Sequence, residues 1–219
     1  MRARLTVAVA AVVFAACSGT PTASTEPVED PPGLTPESVF DALIDAVGRT
    51  DHPAAADLTD PAQIPLLALA EGVEAGRVAE FTDADRQAVA ANFWAGFASQ
   101  LEASLGVSIG DLRQGDVIRT FESTGFATVD LVLGSDASVR RLVVRDTPSG
   151  WVVDLIASFP SPLLGLIPDA AQAIRASGDG TLLGDLRGYE VSVRYLLADP
   201  EADALLNQAA TAALEAIVR

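Results

Sequence analysis

Lysine is missing from all 219 residues, and cysteine, histidine and methionine occur once each, as Cys17, His52 and Met1. Without lysine the chain has no Schiff-base amine and no lysine for a phosphate-binding loop. A single cysteine excludes an intramolecular disulfide and any site built from several thiolates. His52 stands in the turn Thr50-Asp51-His52-Pro53, with no Ser or Cys nucleophile motif to serve, and reads as a solvated loop residue. Positive charge is scarce: 14 arginines face 30 acidic residues, for a formal charge of -16. So acidic a surface repels phosphate backbones, which rules against a nucleic-acid partner. What the chain does have is apolar material, 49% of its residues, enough for a sizeable core.

At the N-terminus Arg2 and Arg4 precede an uncharged run from Leu5 to Ala16 that ends in Ala15 and Ala16. Charged, apolar and small, in that order, is the pattern of a cleavable secretory signal. The run is too short for a bilayer span, which needs about 20 apolar residues, and Ser18-Gly19-Thr20-Pro21 follow it directly. The stretch Phe14-Ala15-Ala16-Cys17 resembles the lipobox of bacterial lipoproteins, with Phe14 where that motif usually carries Leu. The resemblance implies cleavage before Cys17 and a diacylglyceryl thioether on it. Two acyl chains suffice for stable attachment, so the expected location is the outer face of the cell membrane, to which Cys17 is the anchor. Residues 1–16 are then the signal, and 17–34, rich in Thr, Pro, Ser and acidic residues, the lipidated Cys and a disordered stalk.

Residues 35–159 read as an α+β domain: helices packed on a curved antiparallel β-meander. Thr35 and Pro36 open a helix whose Val39, Phe40, Leu43, Ile44 and Val47 share a face, and Gly48 closes it. A short Ala-rich helix to about Leu58 and another over 64–72 follow. Thr82 caps a long helix with a ladder of Val89, Phe93, Phe97, Leu101 and Leu105, stopped at Gly106. From Asp116 the period changes to two, and turn residues divide four expected strands at about 116–123, 126–133, 138–146 and 151–159. Counting register through the turns puts Ile118, Thr120, Val129, Leu131, Leu142, Val144, Trp151, Val153 and Leu155 on one face. The other face carries Arg119, Asp130 and Arg141 side by side, a structural ion-pair row bordered by Val132, Val143 and Ile156.

Short helices, a long helix and a meander whose last strand opens Gly150-Trp151-Val152-Val153-Asp154 together resemble the cone-shaped nuclear-transport-factor-2-like superfamily, and specifically secreted actinobacterial lipoproteins of that type. The resemblance covers about 35–159 and implies a pocket between helices and sheet. In this chain Phe93, Trp94, Phe97, Trp151 and Leu155 are the residues to line it. Residues 160–219 read as a C-terminal helical extension, with helices over 160–177 and, capped by Asp199 before Pro200, over 200–218. The stretch 181–198 alternates like a strand through Tyr189-Glu190-Val191-Ser192-Val193, but its cap and stop give it helical length, and helix is the expectation.

Two look-alikes are set aside. Gly178, Gly180 and Gly184 follow a helix where a dinucleotide fingerprint needs a strand. Asp179, Gly184 and Glu190 have calcium-loop spacing, but Leu183 and Arg187 fall at ligand positions, so no metal or other cofactor is expected. Asp154 is the one candidate carboxylate base, with no paired donor. The expected function is therefore non-catalytic: an envelope module binding a lipid or other apolar small molecule. A protein-assembly module, binding a partner or a second copy through the sheet face or the C-terminal helices, is the alternative, and a small isomerase or cyclase stands behind both.

Overall fold

The computed structural model describes residues 35–78, 80–106, 125–133, 138–200 and 202–219, and all of these belong to one compact unit. Helix α1 (Pro36–Gly48) begins where the Thr35 hydroxyl accepts the Ser38 amide, and buries Val39, Phe40, Leu43 and Val47. Two short helices follow, α2 (His52–Asp57) and α3 (Ile64–Ala70), then a single turn, α4 (Ala75–Val78). Helix α5 (Asp83–Leu105) opens on a capping box, with Thr82 and Asp85 satisfying each other's amides, and closes on Gly106 at φ 65°, a conformation glycine adopts without steric cost.

Among the described residues three antiparallel strands follow in the order β1 (Phe126–Leu133), β2 (Ser138–Thr147) and β3 (Gly150–Val153), making the fold α+β. Between β1, β2 and β3 the observed register is the one counted from the turns. Val129 lies opposite Leu142, Val144 opposite Val153, and Asp130 opposite Arg141. Arg119, Ile118 and the whole expected strand 116–123 lie outside the described residues. Both sheet faces are covered near the β1 start: Val129, Leu142, Val144 and Val153 are buried on one, Phe126 and Val143 on the other. On that second face Phe126 stacks on Tyr195 at 4.2 Å between ring centroids.

The strand expected over 151–159 stops at Val153. Asp154 turns the chain instead: its carboxylate accepts the Ala157 amide at 2.8 Å and caps helix α6 (Leu155–Ser158). A cap satisfies one of the orphan amides of a helix start, and here it competes successfully with extension. Leu155, Ile156 and Ala157 are all buried, which an alternating strand could not achieve with one face outward. The sheet edge is still used, because the Val143 amide donates to Ser158 Oγ at 2.8 Å and Asp154 N to the Val143 carbonyl at 2.9 Å.

The helix expected over 160–177 is two, α7 (Pro160–Leu164) and α8 (Ile167–Ser177). Pro168 explains the break: proline is tolerated in a helix's first turn but not in its interior. The stretch over 181–198 is helical, as α9 (Gly180–Leu197), with Asp179 as its cap. The last helix, α10 (Ala204–Val218), starts later than expected, because Asp203 and not Asp199 supplies the cap, accepting the Leu206 amide at 2.8 Å. These C-terminal helices share one apolar core with α1, α5 and the sheet, from Phe40 and Trp94 through Leu142 to Val193 and Ile217.

Candidate functional site: an aromatic cluster and a buried polar seam

Spacing on α5 brings three of the expected pocket residues together. Phe93 and Trp94 meet edge to face at 5.1 Å, Trp94 and Phe97 at 5.5 Å, and Phe93 and Phe97 stack at 6.4 Å. Edge-to-face contact sets the positive rim of one ring against the negative face of the next. Phe159, just after α6, completes the cluster at 5.3 Å from Phe93 and 5.8 Å from Phe97. Nothing in the spacing marks Phe159: its place depends on α6 replacing the end of a strand. Trp94 is wholly buried and its Nε1 donates to Thr59 Oγ1 at 2.9 Å, whereas Phe93, Phe97 and Phe159 are half-buried. Leu155 is buried in the core, and Trp151, half-buried on β3, stacks on none of these rings.

The second feature is polar and was only partly legible. Asp185, Gly188, Tyr189 and Ser192 follow one another on one side of α9, spaced by three, one and three residues. That side faces inward. Ser192 is wholly buried; its hydroxyl donates to the Asp154 carboxylate and accepts from Gln63 Nε2 at 3.0 Å. Gln63 in turn accepts the Ile156 amide at 2.9 Å. Arg145, from β2, bridges Asp154 at 3.1 Å and Asp60 in the loop before α3. A methyl group on Gly188 would sit 3.4 Å from the Arg145 guanidinium, so α9 passes directly over it. Further along, Arg86 of α5 reaches Asp185 at 3.4 Å and the Pro61 carbonyl at 2.9 Å.

Burial dominates the electrostatics of this seam. It pushes Asp154 upward against the opposing effects of the Ser192 hydroxyl, the Ala157 amide and Arg145. It lifts Asp185 to about 6 despite Arg86. It also raises Tyr189, whose buried hydroxyl has no partner among the described residues. Asp154, the candidate base, is thus 0% exposed and fully engaged in holding a helix cap, with no access for a substrate. Sequence reasoning missed Asp60, Gln63, Arg145 and Ser192. For Ser192 a signal was available, its place with Asp185 and Tyr189 on one side of a stretch already expected to be helical; no such signal pointed to Asp60, Gln63 or Arg145.

Of the remaining candidates, Asp130 and Arg141 are paired in backbone register, while Arg119 and Cys17 lie outside the described residues. His52 starts α2, and its Nδ1 is buried without a partner among the described residues. Asp179 caps α9, and Glu190, on that helix, pairs with Arg194 at 2.7 Å, so the calcium-like spacing falls on a helix and not on a loop. Among the described residues no three His, Cys, Asp or Glu side chains gather into a metal site, and no helix is long and apolar enough to cross a membrane. No family model matches the chain, and neither a curated protein nor a solved structure matches it.

Proposed function

We propose that this chain is an exported lipoprotein tethered to the outer face of the cell membrane through a diacylglyceryl Cys17. Its folded unit is a non-catalytic module, of the nuclear-transport-factor-2-like kind, that holds a lipid or other apolar small molecule against the α5 aromatic cluster. The observation that carries the binding role is the half-burial of Phe93, Phe97 and Phe159 around the wholly buried Trp94. Such rings offer apolar area already held rigid by their neighbours, which lowers the entropic cost of binding. Asp154, the one candidate base, shares Arg145 with Asp60 in a sealed position, in keeping with a binding protein.

The test is titration of the chain from Ser18 onward with N-phenyl-1-naphthylamine, whose fluorescence rises in apolar surroundings. Saturable enhancement that Phe97→Ala weakens several-fold supports the reading. Equal, non-saturating signals from both proteins would remove the cluster as a binding site.

A second reading, assembly with a protein partner or a second copy, is favoured by the exposure of Leu183 and Val191 on α9, 41% and 44%. Concentration-dependent association abolished by Leu183→Ser and Val191→Ser together would support it.

A further inference from the structure

The seam under α9 contains more negative than positive charge. Asp60, Asp154 and Asp185 supply three carboxylates, Arg86 and Arg145 two guanidiniums, and the most exposed of the five side chains shows only 15% of its surface. We propose that this seam is an acid-tightened latch: it takes up one proton as the pH falls below neutral, and in the protonated state it holds α9 more firmly on the core. The inference stands apart from what the aromatic cluster binds.

Geometry selects Asp185 as the group that takes the proton. The Asp154 carboxylate accepts from the Ser192 hydroxyl, the Ala157 amide and Arg145 Nε, three donors that stabilise its charge. Asp60 accepts the Ala62 amide at 3.1 Å as well as Arg145. Among the described residues Asp185 has only Arg86, through two contacts of 3.4 Å, and Arg86 divides its donors with the Pro61 carbonyl. The other charges acting on Asp185 are both negative: Asp60 from the loop before α3 and Asp179 at the start of its own helix. Tyr189, one turn further along α9, adds a buried hydroxyl and no charge.

The sign follows from linkage. Asp185 titrates at about 6 in the folded chain and near its ordinary value of 3.8 when unfolded, so between those values the folded state binds a proton that the unfolded state releases. The stabilisation is therefore complete below the unfolded value and is lost as the pH rises through about 6. Acidification also relieves general repulsion in a chain of formal charge -16, but that contribution is screened by salt, whereas a buried pair is screened much less.

The experiment is thermal unfolding of the chain from Ser18 onward, which carries the whole compact unit, in about 0.5 M NaCl between roughly pH 5 and 7.5. The native chain is expected to melt about 3 °C or more higher at the acid end, and Asp185→Asn to lose at least half of that difference. Parallel profiles for the two proteins, or a native melting temperature that falls on acidification, would overturn the latch. Should Asp185→Asn fail to fold, the carboxyl carbon of Asp185 is followed by NMR in the native chain. A midpoint above about pH 5 upholds the proposal and one at or below about pH 4 overturns it.

Discussion

Ser192 on α9 and Asp154 at the start of α6 share a hydrogen bond with no access to water, the hydroxyl donating and the carboxylate accepting. The same hydroxyl oxygen receives the Gln63 amide at 3.0 Å, so one small side chain joins the C-terminal helices, the sheet's exit and the loop before α3. An unsatisfied polar group in such a place is costly, which makes Ser192 a fixed point of the fold.

Replacing it tests that role. Ser192→Ala removes a donor from Asp154 and an acceptor from Gln63, and is expected to lower stability by about 1–3 kcal/mol. Urea unfolding is the measurement, with a lowered midpoint and an unchanged slope as the expected outcome. An unchanged midpoint would mean that water replaces the hydroxyl on both sides.

Truncation after Phe159 should be far more damaging. It strips Tyr195 from Phe126, Ser192 from Asp154 and Asp185 from Arg86, and removes the C-terminal helices from the shared apolar core. At about 25 cal/mol per Å², several hundred Å² of exposed apolar surface is worth many kcal/mol. The truncated chain is expected to aggregate or dimerise on size-exclusion chromatography. A monomeric product with the parent's melting temperature would contradict the account of α9 as part of the core.

Local signals were read well where one residue type decides the geometry. Thr35 with Pro36, Thr82, and Gly106 placed the start of α1 and both ends of α5, because caps and left-handed stops act within a few residues. Register from β1 to β3 was equally legible, since two short turns allow little freedom. The misreadings came where two local rules compete. Asp154 is a strand residue by alternation and a helix cap by side-chain chemistry, and contacts distant in sequence settle it: Arg145, Gln63 through Ile156, and Ser192. Asp199 with Pro200 and Asp203 are rival caps for α10, and the second is used. The polar seam escaped notice because its members come from α5, β2, α9 and two loops, and no spacing rule connects them.

The proposed lipid anchor makes its own prediction. Cys17 is the only cysteine, so Cys17→Ser should leave a protein that no longer incorporates a radiolabelled fatty acid and that appears in the soluble fraction. Continued labelling of the Cys17→Ser protein would defeat the assignment.

The central claim, that the folded unit holds an apolar small molecule against the α5 rings, is tested most directly by native mass spectrometry of the chain from Ser18 onward, purified from its own host. The account predicts a stoichiometric adduct of apolar character that is lost or strongly depleted in Phe97→Ala. A spectrum showing only the bare polypeptide for the parent chain, or the same adduct undiminished in Phe97→Ala, would contradict it.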